Sequence, residues 1–118
     1  MKYVCLVYSE ERLVAAFSPG ERGAVEDAEC MAFGQDLRES GRCIAAEALQ
    51  PVQTATTVRV RNGKLSVTDG PFAETKEQLA GFYLVDARDL NEAIQIAARI
   101  PPARVGTIEV RPVRELEP

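Results

Sequence analysis

The sequence predicts an α+β fold, and three observations carry that prediction. Two segments repeat apolar residues at helical spacing, six short runs rich in Val, Ile, Leu, Tyr and Ala lie around them, and Asn62-Gly63 sits between two of those runs as a hairpin turn. The 118 residues are expected to form a single domain over 1–118. A chain of that length buries roughly 65% of its unfolded surface and holds a core without disulfide or metal staples.

The first element is "YVCLVY", Tyr3 to Tyr8, a continuous apolar run bounded by charge. It reads as a strand buried on both faces. "SPGERGAVEDAECMAFGQDLRESG" follows, read as a helix from about Gly20 to Ser40, entered through Ser18-Pro19 and stopped by Gly41. Its inner stripe is Cys30, Phe33 and Leu37. "RCIAAEAL" is a second strand ended by Gln50-Pro51. Strict alternation places Cys43, Ala45, Glu47 and Leu49 on one face and Ile44, Ala46 and Ala48 on the other.

"TTVRVRNGKLSV" is a hairpin. A two-residue turn at Asn62-Gly63 pairs Arg61 with Lys64, Val60 with Leu65, Arg59 with Ser66 and Val58 with Val67, which gives one apolar and one polar face. Continuing the alternation puts Asp69 on the apolar face. In "TDGPFAETKEQLAG", Thr75 with Gln78 three later fits a capping box, so "ETKEQ" is expected to form one helical turn. "GFYLVDA" is a strand apolar on both faces. "RDLNEAIQIAARIPP" is a helix with Asp89 as N-cap, Glu92 at N3, an inner stripe of Leu90, Ala93, Ile94 and Ala97, and Pro101-Pro102 at its end. "VGTIEVRPV" is the last strand, with Pro112 marking an edge.

Setting the hairpin aside as an insertion leaves βαββαβ, the ferredoxin-like split βαβ order, with both helices on one face of an antiparallel sheet. Strands apolar on both sides cannot leave the second face in water, so a two-fold homodimer is expected.

Charge and composition narrow the function classes. A net charge of -4 gives counterion release from a phosphate backbone no basic surface to work with, so no nucleic-acid partner is expected. Cys5, Cys30 and Cys43 are odd in number and lack CxxC spacing, which speaks against a disulfide framework and a zinc site. Buried thiols of a reducing compartment are the simpler reading. The N-terminal apolar run is too short for a signal peptide or a membrane span, and a soluble cytoplasmic protein with no membrane partner is expected. There is no histidine, so imidazole acid–base catalysis, histidine ligation and Ser/His or Cys/His dyads are excluded, even between identical subunits. No GxGxxG or P-loop pattern is present, no metal loop matches, and no cofactor is expected.

Two readings of "DGPFAETKEQ" stand side by side. In the first it is a corner: Pro71 fixes φ, Gly70 accommodates the position before proline and Asp69 bonds nearby backbone N–H groups. In the second, Asp69 at a strand end in a partly apolar setting is a catalytic acid or base, with Gly70, Pro71, Phe72, Glu74 and Lys76 forming a ligand-binding rim. Glu47 is a second carboxylate that could pair with Asp69. Cys30 reads as a small core hydrophobe rather than a reactive thiol. Arg59, Arg61 and Lys64 read as a solvated face or an anion site.

The string "DGPFAETKEQLAGFY", with "MKYVCLVY" at one end and "GTIEVRPV" at the other, resembles the YciI-related, DGPF-motif family of small bacterial proteins over nearly the whole chain. The resemblance implies a dimer of the dimeric α/β barrel type and a small organic ligand in a cleft that holds a His/Asp pair in some relatives. It also implies an alternative role, since some members are labelled as transcription-related and sit beside sigma factors: a non-enzymatic regulatory or partner-binding module. The family's aspartate matches Asp69. Many relatives are similar to one another in carrying a histidine before an "AF" pair where this chain has Cys30 and Met31 before Ala32-Phe33. On this resemblance Asp69 either acts alone or belongs to a pocket without chemistry.

Overall fold

A computed structural model describes all residues from Met1 to Pro118. Six strands and two helices follow in the order β1 (Lys2–Ser9), α1 (Asp27–Glu39), β2 (Cys43–Ala48), β3 (Thr56–Arg61), β4 (Lys64–Asp69), β5 (Gln78–Asp86), α2 (Leu90–Arg99) and β6 (Thr107–Pro112). Strands β2-β5-β1-β6 form one antiparallel four-stranded sheet, and β3-β4 form a two-stranded sheet of their own. With the hairpin set aside, this is the ferredoxin-like α+β arrangement, an open sheet rather than a closed barrel.

The core lies between one sheet face and both helices. Along β1, burial alternates: Tyr3, Cys5, Val7 and Ser9 are buried, while Val4, Leu6 and Tyr8 are half-buried on the other face. Tyr3, Cys5 and Val7 pack with Val85 of β5, Phe33 and Leu37 of α1, and Ala93, Ile96 and Ala97 of α2 in one cluster closed by Ile100. Burial at the centre of that cluster pushes the Cys5 thiol up to about 11. Two glycines allow strands and loops to meet: a Cβ on Gly81 would lie 2.6 Å from the Glu47 carbonyl oxygen, and a Cβ on Gly106 would also meet backbone, at Tyr8.

Several local expectations shift. The first helix begins at Asp27, not near Gly20, because Gly20 and Gly23 take positive φ (86° and 81°) and break the segment into turns. Its start is fixed by a capping box in which Glu26 accepts from the N3 backbone and the Glu29 carboxylate accepts from the Glu26 N–H at 3.0 Å. Its end is the expected glycine stop. Gly41 has φ 76°, its N–H donates to Arg38 O, and the Arg42 N–H donates to Leu37 O, the Schellman pattern.

A bulge between Cys43 and Ala45 breaks the strict alternation of β2. Cys43, Ala46 and Ala48 therefore stand opposite Val85, Tyr83 and Gly81 on the helix side, while Ala45 and Glu47 stand opposite Leu84 and Phe82 on the outer side. In α2 the buried stripe is Ala93, Ile96, Ala97 and Ile100, with Leu90 and Ile94 exposed. Both sets have i, i+3, i+4, i+7 spacing, and packing against the sheet selects the set that ends on Ile100. "ETKEQ" forms no helical turn. Gln78 instead opens β5, and its side-chain amide donates to Thr75 O at 2.6 Å, tying down the bend before it.

The Asn62-Gly63 turn behaves as expected, with φ of 52° and 74° and the four expected pairs in register. The register extends through Thr57–Thr68 to Thr56–Asp69, so Asp69 shares a face with Val58, Val60, Leu65 and Val67. That face is uncovered in the single chain: Val58 and Val60 are each 59% exposed, Leu65 69% and Val67 58%.

Candidate functional site

A cavity of about 640 Å³ opens between α1, the helix-facing side of β1, β2 and β5, and the segment that joins β1 to α1. That joining segment forms a wall because it doubles back on itself. Val25 donates to Leu13 O, Ala15 donates to Val25 O, and Val14 and Val25 form an isolated bridge. Leu13, Val14, Phe17 and Val25 are thereby turned onto the cavity, across from Ala46, Gly81 and Tyr83. Of the 24 lining residues, 15 are hydrophobic, which suits the apolar body of a small organic molecule.

The polar groups in this wall are few. Tyr83 stands opposite Cys5 on one side and Ala46 on the other, which sends its ring toward the helices. An edge-on contact with Phe33, centroids 5.4 Å apart at 80°, fixes the ring. Burial, with Cys30 and Cys43 nearby, raises the phenol to about 12, so it remains a hydrogen-bond donor across the physiological range. Burial also pushes the Cys30 thiol up, and the neighbouring carboxylates Asp27 and Glu29 push it further. Cys30 is thus a protonated, weakly nucleophilic thiol in the cavity wall, in line with its reading as a small hydrophobe.

Arg38 is the one cation in the lining. It reaches back along α1 and lies over Gly34: a Cβ built on that glycine would be 3.7 Å from Nη1 and 3.9 Å from Nη2.

Asp69, Gly70, Pro71, Phe72, Glu74 and Lys76 are not among the residues that line the cavity. Asp69 is exposed at the end of β4, and Phe72, Glu74 and Lys76 are exposed in the bends that follow. Gly70 makes the corner with φ 96°; its N–H donates to Ala55 O at 2.7 Å and its carbonyl accepts from Thr57 Oγ1 at 2.7 Å. The segment then returns to the cavity end of the sheet. Gln78 Oε1 accepts from the Glu11 N–H, and Leu49 N–H donates to Ala80 O. Glu47 lines the cavity but stands opposite Phe82, on the outer side of the sheet. No three Cys, Asp or Glu side chains gather closely enough to hold a metal ion. No helix is long and apolar enough to cross a membrane.

Sequence reasoning missed Arg38, Tyr83 and the wall from Leu13 to Val25. A signal was present at one of them, since Gly34 and Arg38 are one turn apart, a bare backbone beside a long cationic side chain.

The fold and the cavity define a small ferredoxin-like α+β protein with a largely apolar pocket under its first helix. The chain belongs to the YCII-related domain family, whose model matches residues 1–117. It is 38% identical over 120 residues to an uncharacterized protein of Rhizobium meliloti (strain 1021), an alignment that covers 100% of this chain and 96% of that relative.

Proposed function

We propose that this protein binds a small organic molecule in the cavity beneath α1 and does so as a homodimer. The observation that carries the reading is the cavity itself: about 640 Å³, within the range of small-molecule sites, apolar over most of its wall and carrying a few polar groups whose positions are fixed by packing. The homodimer is supported by the exposed apolar face of the hairpin and by the half-buried outer sheet face with Val4, Leu6, Tyr8, Phe82 and Leu84. Asp69 enters through the same argument. It lies on the hairpin face that a second copy would cover, and covering it gives the carboxylate the partly apolar setting that acid–base chemistry needs. Gly70, Pro71, Phe72, Glu74 and Lys76 would then rim the covered site.

A thermal-shift screen of small metabolites against three proteins tests this reading. The wild type is expected to be stabilised by a subset of the compounds. Ala46→Phe, which fills the cavity from β2, is expected to lose that stabilisation while remaining folded. Asp69→Asn is expected to keep fold and dimer while losing turnover of a bound compound. Binding unaffected by Ala46→Phe overturns the cavity as the site; turnover unaffected by Asp69→Asn overturns the role of Asp69.

A further inference from the structure

The state of Arg38 sets the chemistry of the cavity's ligand. Six other arginines have a partner, whereas Arg22, Arg59 and Arg114 make no ion pair and lie outside the cavity lining. Arg12 pairs with Glu10 and Glu21, Arg42 and Arg88 with Glu92, Arg104 with Glu29 and Arg111 with Glu109, while Arg99 stacks over the Phe33 ring at 5.5 Å. Arg38 makes no ion pair and no side-chain hydrogen bond, yet it lies folded against Gly34 in the cavity wall. Five guanidinium N–H donors therefore stand at the cavity with no acceptor from the chain. The Tyr83 hydroxyl, in the same wall, likewise makes no hydrogen bond within the chain.

The two acids of the lining do not answer Arg38. Asp27 is the first residue of α1 and eleven residues before Arg38, about 16 Å along the axis. Glu47 is directed to the outer side of the sheet by its pairing with Phe82. Arg38 stands in the last turn of α1, where the helix C-terminus favours a cation, and its side chain reaches one turn back, away from the free carbonyls. In a protein of net charge -4, a local cation favours an anion at the site it faces.

We propose that the ligand is a small amphiphilic carboxylate, with its apolar body against Val7, Val14, Val25 and Ala46 and its carboxylate head held by Arg38 and the Tyr83 hydroxyl. The planar guanidinium matches a carboxylate with two parallel hydrogen bonds, and the phenol supplies a third donor. This inference rests on the reading of the cavity as the ligand site and adds the class of ligand.

Three eight-carbon probes that differ only in the head group test it: octanoate, octanol and octylamine, titrated calorimetrically at pH 7.5. Octanoate is expected to bind at least about tenfold more tightly than the other two. Arg38→Met, which keeps the length and apolar stem, is expected to lower octanoate affinity by about tenfold or more and leave octanol affinity unchanged. Tyr83→Phe is expected to lower octanoate affinity severalfold. Equal affinity for the three probes, tighter octylamine binding, or wild-type octanoate affinity in Arg38→Met overturns the carboxylate assignment. If octanol binds and is excluded by Ala46→Phe while octanoate shows no preference, the head group is wrong and the cavity remains the site. If none of the probes binds at millimolar concentration, the amphiphilic ligand class is overturned, and the metabolite screen decides separately whether the cavity is a site.

Discussion

At the scale of single residues, burial rather than charge pairing sets the behaviour of the thiols. Cys5 is fully buried at the centre of the core, and its pKa is raised to about 11 by desolvation. A raised thiol pKa means that the folded state holds its proton where the unfolded chain has lost it. The associated stability is therefore complete below the ordinary thiol range, near pH 9, and is lost as pH rises toward about 11. One such proton contributes at most about 1.4 kcal/mol per pH unit. Urea denaturation between pH 8 and 11 is expected to show a falling stability, and Cys5→Ala, though less stable at pH 8, is expected to fall less steeply. Parallel slopes for the two proteins would show that Cys5 is not the group responsible. Cys30, half-buried and flanked by carboxylates, is expected to stay protonated at neutral pH for the same physical reason.

At the scale of elements, the Asp89 cap and the Asn62-Gly63 turn were legible, while the capping box read at Thr75 and Gln78 forms no helical turn. Asp89 was expected as an N-cap, and its Oδ1 accepts from the Glu92 N–H at 2.9 Å. The Glu92 side chain departs from the simplest capping box by accepting from the Arg88 N–H and pairing with Arg42 and Arg88. Because only the Asp89 cap touches the helix end directly, Asp89→Ala is expected to cost about 1 kcal/mol in chemical denaturation, with no change in ligand binding. An unchanged midpoint would mean that the Glu92 network alone holds the end. The hairpin register was fixed by Asn62-Gly63 because a two-residue turn with both φ positive matches the strand twist, and Asn-Gly is the pair that accepts those angles. The start of α1 and the faces of β2 were not legible. Two glycines at positive φ and one bulge decided them, and each is a local backbone choice that apolar periodicity does not report.

At the scale of the molecule, the shape itself argues for assembly. A compact domain of this length has a radius of gyration of about 13 to 14 Å. This chain has 16.0 Å and extents of 48 × 45 × 20 Å, because the hairpin stands apart from the four-stranded sheet with its apolar face uncovered. The proposed homodimer predicts a sedimenting mass twice the 12.9 kDa of the chain at micromolar concentration. Val60 and Leu65 face each other across the hairpin, so Val60→Lys with Leu65→Glu preserves a favourable cross-strand pair while charging the apolar face. That double variant is expected to shift the protein to monomer with its hairpin intact. A wild-type monomer would refute the assembly argument.

What the sequence determined alone was local or periodic: the order of elements, the hairpin register, the helix stop at Gly41, the N-cap at Asp89 and the placement of Asp69 on an apolar face. Each depends on residues close together in the chain, where steric limits on φ and alternation of side chains act directly. The tertiary structure decided the rest. It opened a cavity under α1, with Cys30, Arg38 and Tyr83 in its wall, that the residues of the DGPF corner do not line. That space exists because a segment with no periodic signal folds back through the Val14–Val25 bridge and because Gly81 lets β2 and β5 approach. Contacts between residues far apart in sequence enclose a cavity, and no pattern confined to one segment encodes them.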